Sequence, residues 1–334
     1  FCVIIVQRAI SGGYFMKNKT LKILAIFQTI IIFLLVAVII YFSVFRNGSI
    51  EKVIPAFNSL ETRVNPVIEK EETVYQLDGE KIKMSDSVIG EMYLPVIDDV
   101  KKCQYDMNNI VTRNNYSFYK ENNEIVSFTG IDVSQYQGDI DWKKVAESGI
   151  KFAFLRAGVR TYGEGEIHLD EKFHENVKGA TENGIEIGVY FFSQAITKEE
   201  AIEEADFTIN ELKGYNITYP VVFDWEVIME DTARTDSVDV ETLADCCTAF
   251  CERVKSAGYT PMIYQNLRTS LLKLDLLRLK DYDFWLAQYI EKPTYCYDYQ
   301  IWQYASDGSV PGIEGHVDLN IAFKNYAESS NQGG

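Results

Sequence analysis

From residue 128 onward the chain alternates short apolar runs with amphipathic segments, and no other feature limits its fold so strongly. Strand-like runs fall at 128–133, 152–157, 185–192, 220–226, 261–264, 284–289, 300–304 and 317–321. Helix-like segments fall between them at 142–148, 170–183, 198–212 and 238–257. Gly149, Gly184, Gly214 and Gly258 stand where those helices should stop. Such alternation predicts an α/β domain with a parallel sheet, and about eight strands in about 200 residues predict closure into a barrel. The last three strands lack full helices between them, so the barrel is expected to be irregular. A doubly wound open sheet is the alternative. No Gly-rich phosphate-binding run follows any strand, so nucleotide binding has no support.

In barrels of this kind, reactive side chains sit at the carboxyl ends of the strands. The fourth strand ends Val221-Val222-Phe223-Asp224-Trp225-Glu226. Residues two apart on a strand share a face, so Asp224 and Glu226 point the same way. The first strand ends in Asp132 and the last contains Asp318. Paired carboxyls at a strand mouth suit sugar hydrolysis, where one acid is kept protonated and another stays ionised. In this reading Glu226 is the general acid and Asp224 the ionised partner. Asp132 and Asp318 bind sugar hydroxyls and keep Glu226 protonated through their like charge. Tyr136, Tyr190, Tyr264, Trp285, Gln288, Trp302, Gln303 and Tyr304 are expected to wall the groove, rings stacking on sugar faces and amides taking hydroxyls. The chemistry requires no metal and no organic cofactor.

The same residues carry a resemblance. Gly130-Ile131-Asp132-Val133-Ser134-x-Tyr136-Gln137-Gly138-x-Ile140-Asp141-Trp142 resembles the opening signature of the glycoside hydrolase family 25 lysozymes. The similarity continues through Phe154-x-Arg156-Ala157, Gly188-x-Tyr190-Phe191, Asp224-x-Glu226, Trp302-Gln303-Tyr304 and Val317-Asp318-Leu319-Asn320. The resemblance implies a (β/α)5β3 barrel. It also implies cleavage of the β-1,4 bond from N-acetylmuramic acid to N-acetylglucosamine, with peptidoglycan glycan strands as partner. The family's catalytic acids match Asp132, Asp224, Glu226 and Asp318. Two positions depart from the family pattern. Phe191-Phe192-Ser193 stands where many members carry a His, and Trp225 stands where an aliphatic residue is common. Family 18 chitinases also end a strand in D-x-E with Trp between, but they carry a further Asp where this chain has Val222. A non-catalytic wall-binding module is the other alternative.

Residues 1–15 precede Met16 and read as an upstream extension, so residues 1–22 are expected to comprise that extension and a cytoplasmic tail. Residues 23–45 hold no charge and are long enough to cross a bilayer core of roughly 30 Å. Lys17, Lys19 and Lys22 precede this run, which keeps the N-terminus cytoplasmic and the rest outside. The expectation is therefore a single-pass cell-membrane protein, with the lipid bilayer as a second partner through one N-terminal helix. Residues 46–124 read as a stalk or small membrane-proximal module, with a hairpin at 74–82 turning on Asp78-Gly79. The catalytic barrel is expected over 125–328 and a tail over 329–334.

The formal charge of −17 leaves no basic surface for nucleic acid. Cys246, Cys247 and Cys251 lie close together without a zinc-binding set, which favours core packing or one disulfide over metal. Cys103 and Cys296 are a possible cross-domain pair that spacing leaves open.

Overall fold

A computed structural model of the chain describes residues 81–86, 90–228 and 232–330. The expected span 23–45 and the turn Asp78-Gly79 lie outside the described residues. No helix among those described is long and apolar enough to cross a membrane.

The described chain begins with β1 (Lys81–Asp86) and β2 (Gly90–Pro95), an antiparallel pair. A second small sheet follows, made of β3 (Ile110–Arg113), β4 (Tyr116–Glu121) and β5 (Glu124–Ile125). These sheets are not a free stalk. Met84, Val100 and Tyr116 are buried in the same core as the barrel's outer face. Tyr105 stacks on Phe323 at 4.1 Å, and the Ser117 N–H donates to Tyr304 Oη at 3.2 Å. The expected boundary at 124/125 is therefore not a physical division, because docking depends on contacts that local composition does not encode.

The barrel strands are β6 (Phe128–Val133), β7 (Phe152–Arg160), β9 (Glu186–Ser193), β10 (Val221–Trp225), β11 (Pro261–Asn266), β12 (Asp283–Ala287), β13 (Ile301–Gly308) and β14 (Val317–Ala322). A short β8 (Ile167–Leu169), which sequence reading missed, folds back along the end of β7. Neighbours are parallel from β6 round to β13, and β14 lies antiparallel between β13 and β6, closing the ring. This is the expected irregular eight-stranded barrel. Helices α1 (Trp142–Glu147), α2 (Phe173–Glu182), α3 (Lys198–Glu211) and α4 (Val240–Ser256) occupy the expected intervals. Asp141, Thr197 and Asp239 cap three of them by accepting first-turn N–H groups. Gly184 and Gly258, just past α2 and α4, have φ of 70° and 90°. That left-handed conformation ends a helix at little steric cost only for glycine. Two short helices, α5 (Leu267–Leu272) and α6 (Leu276–Leu279), follow β11, and α7 (Tyr326–Ser330) crosses the expected boundary at 328/329.

Alternate residues of the barrel strands fill its interior: Phe152, Phe154, Val222, Met262, Tyr264, Trp285, Ile301 and Ala322 form one buried cluster. Phe154 stacks on Trp285 at 4.5 Å, and Phe152 stacks on Tyr219 at 4.6 Å. Gly130 and Gly188 admit these rings, since a Cβ at either would stand 2.2 Å from Phe152 or Phe154. This aromatic plug closes the barrel below its polar mouth. Cys246, Cys247 and Cys251 are buried free thiols in α4, where they pack as small apolar groups.

Candidate active site

The polar residues gather where β6 and β10 end and β14 begins, beside Gln303 on β13. Because β14 runs against its neighbours, its second residue lies at the same mouth as the fifth residue of β6, and Asp318 pairs directly with Asp132. Residues directly opposite in an antiparallel pair share a face, so these two carboxyls meet. Asp224 occupies the same interior face of β10, two residues above Val222. Glu226 sits one residue beyond β10. Two side-chain amides fix that exit. Gln265 donates to the Trp225 carbonyl at 3.2 Å, and Gln194 donates to the Glu226 carbonyl at 2.9 Å. Gln194 Oε1 in turn accepts from Thr235 Oγ1 at 2.9 Å.

Each acid has its own environment. Asp132 Oδ2 accepts from Gln303 Nε2 at 2.8 Å and from Asn320 Nδ2 at 2.7 Å. Burial raises its pKa to about 6, and these amides limit the rise. Burial and then the charge of Asp132 raise Glu226 to about 7. Burial and the facing Asp132 raise Asp318 to about 8. Asp224 is raised well above the usual carboxylate range by burial and by the charges of Glu226, Asp132 and Asp318. Its Oδ1 is buried without a hydrogen-bond partner among the described residues. That direction runs against the expectation that Asp224 is the ionised member. Among the described residues, Asp132 is the acid that holds two amide donors, which favour its charged form.

Among the expected groove residues, Tyr190, Tyr264 and Gln303 join this cluster. Gln303 Oε1 accepts from Tyr264 Oη and Tyr289 Oη, both at 2.9 Å, while its Nε2 serves Asp132. Tyr190 is half-buried, its ring edge-on to Trp285. Tyr136 stands at the rim, 78% exposed, with the Arg156 guanidinium 4.9 Å from its ring centre.

The other expectations are corrected. Trp285 is 2% exposed and belongs to the plug, where its Nε1 donates to Asn320 Oδ1 at 2.8 Å. It positions the amide that holds Asp132 and offers no face to a sugar. Gln288 lies past the end of β12 and is tied to Thr294 through both ends of its amide. Trp302 and Tyr304 project from the outer face of β13. Trp302 is buried there with Nε1 on the Gln288 carbonyl, and Tyr304 accepts from Ser117. Trp225 is likewise outward and buried, donating to the Ala195 carbonyl at 3.1 Å, so it does not enter the cleft.

Sequence reading missed Asn320 and Arg156 as site residues, though both lay in the motifs it singled out. Asn320 is two residues after Asp318, so strand alternation alone places it on the acid face. Arg156 is fixed by Asp170, Nε to Oδ2 at 2.8 Å, and its positive charge counters the rise in Asp224.

Comparison with known proteins agrees with this fold. The autolytic lysozyme of Clostridium acetobutylicum is 29% identical over 192 residues, covering 57% of this chain and 54% of the relative. The chain thus spans about half the length of that curated relative. Among solved structures, the spore cortex lytic enzyme SleM of Clostridium perfringens matches with TM-score 0.53 and 23% identity, covering 63% of this chain and 71% of that one. A family 25 glycosyl hydrolase from Bacillus anthracis matches with TM-score 0.51 and 23% identity, covering 66% and 99%. At those identities the structures speak for the fold. The model of the family described as "Glycosyl hydrolases family 25" matches residues 131–313, which is more than half of the 334 residues and includes all the motifs from Asp132 to Gln303. With that match on this barrel, the chain belongs to glycosyl hydrolases family 25.

Proposed function

We propose that this chain hydrolyses the β-1,4 bond between N-acetylmuramic acid and N-acetylglucosamine in peptidoglycan. The carrying observation is a carboxyl, Glu226, raised to about 7 at the mouth of the barrel with three further acids beside it. A general acid must be protonated at working pH yet able to give its proton up, and a pKa near neutrality meets both needs. Glu226 protonates the glycosidic oxygen as the bond to the anomeric carbon breaks. Asp224 presents a buried acceptor without a partner among the described residues. A substrate acetamido N–H satisfies that acceptor and turns its carbonyl oxygen toward the anomeric carbon. Attack by that oxygen forms a cyclic intermediate within the sugar, with no bond to the protein. Water then opens the ring and gives its proton to Glu226. Asp132 and Asp318 bind sugar hydroxyls, and Asp132 carries the balancing negative charge.

The proposal extends to location. A span at 23–45, with the barrel outside the membrane, would confine cleavage to wall close to the bilayer. That arrangement suits wall remodelling or local opening.

Digestion of purified walls, with mass analysis of the fragments, tests the activity. Wild type should release fragments with new reducing ends at muramic acid. Glu226→Gln should lose at least about 100-fold in rate, the scale of a removed general acid, while still binding walls. Binding without turnover by wild type would make the chain a wall-binding module. Turnover of chitin oligomers with none on walls would make it a chitinase.

A further inference from the structure

Two half-buried cysteines, outside the site and far apart in sequence, lie opposite each other where the N-terminal sheets dock on the barrel. Lys102 and Tyr297 form an isolated antiparallel bridge. Hydrogen bonds flank it on both sides: Asp298 N–H to the Lys101 carbonyl at 2.8 Å, and Cys103 N–H to the Cys296 carbonyl at 2.9 Å. In that register Lys101 faces Asp298 and Cys103 faces Cys296. The two pairs are displaced by two residues on each strand, so all four side chains share one face. The Lys101–Asp298 ion pair shows that side chains on this face do meet across the junction.

A pair at this type of position has Cα atoms about 5.5 Å apart, inside the range of about 4.4–6.8 Å that a disulfide spans. Both thiols are free in the structure and neither is fully buried. Cys296 also lines a recess of about 440 Å³ shared with Lys81, Lys83 and Lys102, so a small oxidant can approach it. By contrast, Cys246, Cys247 and Cys251 are sealed in the core.

We propose that Cys103 and Cys296 are a disulfide site that staples residues 81–125 to the barrel. The oxidant is a small or protein-borne disulfide. The Cys296 thiolate attacks one of its sulfurs, forming a mixed disulfide and expelling one thiolate. The Cys103 thiolate then attacks the Cys296 sulfur, and the second thiolate leaves. Two protons pass from the cysteines to the two released thiols, and the oxidant's disulfide is reduced as the new one forms. Burial raises both thiols, Cys296 to about 11. Sulfurs of high thiol pKa leave slowly, so the bond, once formed, behaves as structural rather than as an exchange catalyst. It encloses the chain from Cys103, between β2 and β3, to Cys296, just before β13, a loop long enough to restrict the unfolded chain strongly.

The test is oxidation of the full chain with oxidised glutathione, followed by non-reducing peptide mapping and thermal melting. The expected result is one linked peptide joining Cys103 to Cys296, with Cys246, Cys247 and Cys251 unmodified. The melting midpoint should rise by about 5–10 °C, reversed by dithiothreitol. Cys103→Ser should fold with the same circular dichroism spectrum and show no oxidant-dependent shift. Separate glutathione adducts on Cys103 and Cys296, a link between molecules through either of them, or free thiols at both after prolonged exposure would overturn the proposal. So would a linked peptide with no change in melting, or a shift that persists in Cys103→Ser.

Discussion

Replacing Asp318 with Asn should stabilise the protein in alkali and leave it unchanged in acid. Asp318 faces Asp132 across β14 and β6, and its pKa rises from 3.8 to about 8. Between those limits the folded protein keeps a proton that the unfolded chain has released, so stability falls as pH rises through the window. Each pH unit adds about 1.4 kcal/mol, which sets a ceiling of roughly 5–6 kcal/mol for a lone group. The true share is smaller, because Asp132 titrates with its partner and solvent reaches Asp318 in part. A gain of about 1–3 kcal/mol for Asp318→Asn at pH 8.5 follows. Asn is close in shape to the protonated acid and keeps a donor for Asp132, so at pH 4.5 the two proteins should coincide. Scanning calorimetry at both pH values measures this, and the midpoints should separate by about 3–10 °C at pH 8.5. An offset equal at both pH values, or a variant less stable in alkali, would refute the facing-acid reasoning.

Three further outcomes are expected. The kcat/KM of wall digestion should fall above a limb near pH 7, as free Glu226 loses the proton it must donate; a rate flat from pH 6 to 9 would remove it as the acid. Gly130→Ala should cost about 1–3 kcal/mol in urea melts, because its Cβ would stand 2.2 Å from the packed ring of Phe152. Arg160→Met should cost about 3–5 kcal/mol at pH 8, since Arg160 Nε meets the fully buried Glu204 Oε1 at 2.7 Å and its loss leaves that charge unpaired. Glu204 is already raised to about 7 by burial, so the deficit should shrink as pH falls and the acid becomes neutral.

The strands, their order and the four main helices could be read from the chain because apolar period, caps and glycine stops agree with one another at each element. Asp224 was readable as an inward residue for the same reason: it follows Val222 by one strand repeat. The errors on β13 were also avoidable. Trp302, Gln303 and Tyr304 are consecutive, and on a strand the middle one cannot share a face with its neighbours. Assigning all three to one groove ignored that alternation. Gln303 takes the interior, Tyr304 meets the docked N-terminal sheet, and Trp302 is buried with its Nε1 on the Gln288 carbonyl.

What local pattern could not supply was the direction of the last strand. Val317–Ala322 reads equally well as parallel or antiparallel, because an isolated apolar run carries no sign of its neighbours' sense. The direction nevertheless decides the site. Had β14 run with the other seven, its early residues would lie at the end of the barrel where those strands begin, with Asp318 a strand length from Asp132. Reversal instead sets Asp318 against Asp132 and puts Asn320, one repeat deeper, within 2.7 Å of the same carboxylate. A single antiparallel strand thus sets Asp318 against Asp132, whose charge adds to burial in raising it, and supplies the amide that limits the rise in Asp132 itself. Burial is the largest cause of the raised pKa at all four acids, and the reversal decides which of them face one another.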